Sequence, residues 1–216
     1  MKSLILGIFA MQQFNRFNPS PRYRELIGLY QTLHVEGDKL HDIPAEQTFD
    51  GQSLVGHVGT IAQLVADFRV QTVLDYGSGK AQGYDNWKGK RSGEPVTGLK
   101  AIWGVDAITL YDPGYAPNSK LPTGKFDLVI CTDVLEHCPE EDIPWIVGEI
   151  FGISERFVFC TVATYPAKKH LPNGENAHIT LKPTAWWQAV FDESSGRHFN
   201  RSYNLVVKHK SDGSAD

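Results

Sequence analysis

The densest chemistry in this chain lies in Asp133-Val134-Leu135-Glu136-His137, with a further imidazole, His178, on a later polar stretch. Asp133, Glu136 and His137 stand at i, i+3 and i+4, so a helical turn places all three side chains on one face. A neutral imidazole there can take a proton from a hydroxyl or ring nitrogen near pH 7. The same acids and histidines are hard and borderline donors suited to Mg²⁺, Mn²⁺ or Zn²⁺. Both uses stay open on residue type alone.

A second constellation precedes it. Thr72-Val73-Leu74-Asp75-Tyr76-Gly77-Ser78-Gly79-Lys80 is a short apolar run that ends on an acid and then on two glycines one residue apart. A buried parallel strand delivers its carboxyl end to a ligand in this way, and glycine lets the backbone turn tightly with no Cβ in the way. Asp75 can accept hydrogen bonds from an ammonium group over the strand. A dinucleotide fingerprint needs G-x-G-x-x-G, but Gly83 falls one position too late for it.

The glycine run, followed in order by Phe126-Asp127-Leu128-Val129-Ile130 and then Asp133-Val134-Leu135-Glu136-His137, resembles the class I methyltransferases that use S-adenosylmethionine. The resemblance implies a Rossmann-like α/β fold, with a mostly parallel sheet, helices on both faces and a C-terminal antiparallel strand. It also implies cofactor contacts from Asp75, Gly77, Gly79, Asp112 and Asp133, and catalytic roles for His137, His178 and Glu136. Transfer would go to oxygen or nitrogen of a small-molecule, sugar or nucleotide-like acceptor. The Glu136-His137 pair is similar to the metal-binding loop of small-RNA 2′-O-methyltransferases, which makes a divalent metal and an RNA acceptor the alternatives within the class. Many relatives with this loop bind no metal. A catalytically silent binding module is the alternative outside it. No Asn/Asp-Pro-Pro-Tyr/Phe follows the strand, which counts against DNA-base methylation.

Stepping outward from these residues, 216 residues suffice for one α/β domain. The expected organisation is a helical extension or lid over 1–68, the cofactor domain over 69–209 and a polar tail over 210–216. Tyr23, Leu26, Ile27, Tyr30 and Leu33 recur at helical spacing. A second helix carries Leu54, Val58, Ile61, Leu64, Val65 and Phe68, with Ser53 as its candidate cap and His57 as an ordinary helix histidine. Residues 80–100 read as a helix start followed by an irregular, lysine-rich insertion with Trp87 and Trp103 beneath it.

Ala107 to Tyr111 reads as a strand ending at Asp112, where a ribose can give its hydroxyls to a carboxylate. Too few residues separate Asp112 from Phe126 for another helix and strand, so the third strand is expected to be missing or reduced and the adenine contact is unassigned. A helix follows over Ile143 to Ile153, then a strand over Arg156 to Val162, a ligand-side loop through His178, a helix from Pro183, and the closing strand within His198 to Lys208.

A net charge of −4 argues against broad phosphate neutralisation, so nucleic acid is not the favoured partner. Cys131, Cys138 and Cys160 form no C-x-x-C pair and read as reduced thiols. The apolar run Leu4 to Ala10 is too short to span a bilayer and lacks a cleavage site after it, so the expected location is cytoplasmic, with no membrane partner.

Overall fold

The computed structural model describes residues 14–210, so the readings on Leu4 to Ala10 and on the tail beyond 210 lie outside the described residues. Helix α1 spans Pro21–Glu36. Ser20 caps it by accepting a hydrogen bond from the Tyr23 amide, 2.9 Å, and proline stands in the first turn, where its missing N–H costs nothing. A 3₁₀ turn over Gln52–His57 leads into α2, Val58–Phe68. Ser53 caps neither; its hydroxyl lies 3.3 Å from that of Thr132.

The sheet begins with β1, Thr72–Tyr76. After it the chain does not enter a helix, contrary to expectation. Ala81 and Gly83 both have positive φ, which a right-handed helix cannot contain, and the segment turns until the hairpin of β2, Lys88–Arg91, and β3, Glu94–Thr97. The short helix α3, Leu99–Trp103, then leads to β4, Ala107–Tyr111. No strand lies between β4 and β5, Phe126–Thr132, only a 3₁₀ turn over Ala116–Asn118, so the expected third strand is missing. Helix α4, Ile143–Ile153, strand β6, Ser154–Ala163, helix α5, Thr184–Arg197, and strand β7, Ser202–Lys208, complete the chain.

The five long strands form one sheet in the order β4-β1-β5-β6-β7, and every pairing is parallel. The expected antiparallel closing strand is therefore corrected. A single helix joins β6 to β7, and one crossover returns the chain to the edge where β6 began, so β7 must run the same way. Its last residue, Lys208, consequently arrives at the carboxyl edge of the sheet beside Ala163.

Both faces of the sheet are covered, as its unbroken apolar strands require. Val129, Cys131, Val158 and Cys160 meet Ile146, Ile150, Phe151 and Trp187 of α4 and α5 on one side. Leu128, Ile130, Phe157 and Phe159, their period-two neighbours, join Ile61, Val65, Leu99 and Trp103 of α2 and α3 on the other. Helix α2 thus belongs to the core of the sheet. Helix α1 sends Tyr23 into the first of these clusters, while its Leu26, Tyr30 and Leu33 pack separately on Leu171 and Ala177 of the loop after β6. The result is a Rossmann-like α/β fold. Cys131, Cys138 and Cys160 are all free thiols. Among the described residues no helix is long and apolar enough to cross a membrane.

Candidate active site

The carboxyl ends of β1, β4 and β5 open into a cleft that α1 roofs with Tyr30 and His34. Open parallel sheets build their ligand sites at this edge. Gly77, Gly79, Asp112, Asp133 and His137 all line it, so segments far apart in sequence meet around one space. Asp75, Glu136 and His178 do not line it.

On the β1 side the glycine turn is held from within. The amides of Gly77 and Ser78 donate to the Tyr111 carbonyl, 2.7 and 3.1 Å, and the Gly79 amide donates to the Asp112 carboxylate, 2.8 Å. The other Asp112 oxygen accepts from the Gly114 amide, 2.8 Å. Burial raises the Asp112 carboxyl above its usual range, against these backbone hydrogen bonds. Asn118, which sequence reasoning passed over, bonds both the Ser78 hydroxyl and the Gly79 carbonyl, 3.3 and 3.1 Å.

Both glycines are obligatory for packing. Gly77 has φ 83° and a Cβ there would lie 2.3 Å from a Val134 methyl; Gly79 has φ 55° and its Cβ would lie 2.3 Å from the Phe49 carbonyl oxygen. The chain's own Phe49 segment covers the turn, and the Lys80 amide donates to the same carbonyl, 2.8 Å. Asp75 sits below this layer. It accepts a hydrogen bond from the Tyr84 hydroxyl, 3.0 Å, and burial pushes its carboxyl up to about 7.

On the β5 side the chain does not continue as an α-helix. Asp133 has φ 55° and a 3₁₀ turn follows over Leu135–His137, so Asp133, Glu136 and His137 point apart rather than sharing a face. Asp133 accepts from the Thr161 hydroxyl and pairs with Lys208, both at 2.7 Å. The parallel direction of β7 is what supplies that lysine. Glu136 turns inward, is wholly buried, and accepts from the Ala163 amide, 2.8 Å, while its second oxygen has no partner. Burial, and then the charge of Asp133, push its carboxyl up to about 8. These orientations do not fit the metal-binding set that the motif implied.

His137 is fixed through one ring nitrogen. Its Nδ1 lies 2.7 Å from the Ala177 carbonyl, which can only accept, so Nδ1 carries the proton and Nε2 the lone pair. The Tyr30 hydroxyl donates to that same carbonyl, 2.7 Å, and stands 3.2 Å from Nδ1. Among the described residues Nε2 has no hydrogen-bond partner. Burial, and then the neighbouring His178, push the imidazole down to about 3, so it is neutral at physiological pH.

His178 meets it edge-on, with ring centroids 4.9 Å apart at 80°. The Nδ1 of His178 is fixed by the Tyr165 carbonyl, 2.6 Å, and burial lowers its pKa too. The two histidines are thus brought together, but His178 backs His137 and opens onto a neighbouring groove beside Lys182 rather than onto the cleft.

Two more cleft residues escaped the sequence reading, Tyr30 and His34. Their i, i+4 spacing on an otherwise apolar helix face is the signal that could have found them. The His34 ring lies between Phe49 and Tyr115, at 4.7 and 5.1 Å, and its buried Nδ1 has no partner. Burial, and then Lys80 and Lys169, lower it to about 4.

The chain matches no protein-family model, no curated protein and no solved structure.

Proposed function

We propose that the chain is an S-adenosylmethionine-dependent methyltransferase acting on oxygen or nitrogen of a small, sugar or nucleotide-like acceptor. The observation that carries this reading is the convergence of Gly77, Gly79, Asp112 and His137 on one cleft at the carboxyl edge of a parallel sheet. Asp112 and the Gly77-Ser78-Gly79 turn are the groups that would hold the nucleoside end, because each Asp112 oxygen keeps lone-pair capacity for a ribose hydroxyl beyond the one backbone donor it accepts. When bound, the cofactor supplies a methyl group on a sulfonium, already activated for in-line displacement.

The protein's own part is positioning and proton removal. An acceptor hydroxyl seated against the free Nε2 of His137 would hydrogen-bond to that lone pair and pass its proton to it late, as its oxygen forms the new bond to carbon, because an imidazole pushed down to about 3 takes a proton from an oxonium-like oxygen but not from the free hydroxyl. The Ala177 carbonyl fixes the tautomer and then stabilises the imidazolium through the same Nδ1–H, while Tyr30 fixes the carbonyl. His178 packs against the ring and limits its rotation.

The test is incubation of the purified protein with methyl-labelled S-adenosylmethionine and a fractionated lysate. Label is expected in the small-metabolite or glycan fraction and absent when His137 is replaced by Gln. Cofactor binding with no label in any fraction would support the silent binding module instead, and label in RNA would redirect the acceptor.

A further inference from the structure

A second group of ligand-type side chains lies outside the cleft, where the turn after α1 meets the loop after β6. Gly37 ends α1 with its amide on the Leu33 carbonyl, 3.1 Å, and Asp38 and Ile43 then exchange both backbone hydrogen bonds, 2.9 and 3.0 Å. Within this tight turn one Asp38 oxygen accepts from the amides of Leu40 and His41, 3.0 and 3.2 Å. The other accepts from the His170 amide, 3.0 Å and 132 residues away, and meets His41 Nδ1 at 2.8 Å. The His41 and His170 rings lie 4.8 Å apart, tilted by 32°.

One ligand atom from each of Asp38, His41 and His170 lies within 4.8 Å of the other two, the single such group of three among the described residues. A turn stabilised by hydrogen bonds accounts for Asp38 and for one imidazole. It does not account for the second imidazole, whose buried Nδ1 has no partner beside a carboxylate that is 2 % exposed. An unpaired buried nitrogen is costly, and a metal ion relieves that cost.

We propose that Asp38, His41 and His170 form a site for a divalent transition metal of the Zn²⁺ type, which fastens the turn after α1 to the loop after β6. Two imidazole nitrogens and one carboxylate oxygen are a borderline donor set, suited to Zn²⁺, Co²⁺ or Ni²⁺ rather than to Mg²⁺ or Ca²⁺, which prefer oxygen. Water completes the tetrahedron. The turn ends the helix that carries Tyr30 and the loop carries Ala177, the groups that orient His137, so an occupied site stiffens the wall of the cleft without entering it. The proposal does not depend on methyl transfer.

The experiment is calorimetric titration of Zn²⁺ into chelator-stripped protein, with Co²⁺ absorption as the second readout. The expected result is one equivalent of Zn²⁺ bound, at least tenfold weaker in His41→Ala and in His170→Ala and unchanged in His178→Ala, with a Co²⁺ spectrum free of thiolate charge transfer. His41 is about 40 % exposed, so its replacement does not endanger the fold. Binding that survives in both His41→Ala and His170→Ala, that disappears in His178→Ala instead, or that shows a thiolate band from the cysteines would overturn the proposal.

Discussion

At the β1 side of the cleft the polar groups are engaged within the chain and leave only acceptor lone pairs on Asp112, whereas at the β5 side an unpaired basic nitrogen is left over. Both Asp112 oxygens accept backbone amides, Asp75 accepts the Tyr84 hydroxyl, and the close approach that Gly77 and Gly79 allow is taken by Val134 and Phe49. Across the cleft, His137 uses Nδ1 to lock its ring and keeps Nε2 free. The first region shapes backbone and offers a ligand acceptors alone, and the second offers a basic lone pair. Substitutions on the two sides should therefore fail in different ways.

The largest effect is expected at His137. Replacing it by Gln keeps a donor for the Ala177 carbonyl but removes the basic lone pair, so turnover should fall about 10²–10⁴-fold, the usual worth of a positioned base, with the melting temperature nearly unchanged. Matched kinetics and thermal melts check this. A variant that melts early and turns over normally would reverse the contrast between the two sides.

Gly77→Ala should do the opposite. Its Cβ meets Val134 at 2.3 Å in a backbone conformation with φ 83°, and the combined overpacking and strain should cost about 2–4 kcal/mol of stability. Denaturant unfolding measures it directly. A neutral result would mean that the turn is plastic and that its glycines serve the ligand rather than the fold.

A smaller effect sharpens the comparison through pH. Glu136 is raised by burial to about 8, so between its unfolded value near 4.5 and that pH the native state holds a proton that the unfolded chain has lost. Its contribution is full below about 4.5 and is lost as pH rises through 8. His137 has the opposite sign. Depressed to about 3, it costs stability as pH falls from about 6.5, because the unfolded chain then binds a proton that the native ring refuses. Glu136→Gln keeps an acceptor for the Ala163 amide and should gain about 1–3 kcal/mol on wild type between pH 6 and pH 9, with relaxation trimming the full 1.36 kcal/mol per unit. Parallel stability curves for the two proteins would mean that Glu136 is ionised in the fold.

Much of the scaffold was legible in the sequence because burial leaves periodic marks. The strand at Ala107–Tyr111 and the helix at Ile143–Ile153 fall where the apolar pattern put them, and the short stretch from Asp112 to Phe126 correctly implied a missing strand. The direction of β7 was not legible. The resemblance placed a closing strand within His198 to Lys208, but the direction of a strand depends on the crossovers before it. The partner of Asp133 was hidden with it, since Lys208 reaches that carboxylate only on a parallel strand. Glu136 was misread for a local reason. Left-handed Asp133 and a 3₁₀ turn break the i, i+3, i+4 geometry, which no residue type in the segment announces. The locked tautomer of His137 comes from Ala177, whose side chain carries no chemical signal.

The central claim is that the cleft binds the methylation cofactor with Asp112 at its nucleoside end, and calorimetric titration of S-adenosylhomocysteine and of NAD tests it most directly. The account predicts one equivalent of S-adenosylhomocysteine bound by wild type, weakened by about 1–3 kcal/mol in Asp112→Asn, and no NAD binding. Tight NAD binding with no response to S-adenosylhomocysteine would contradict it.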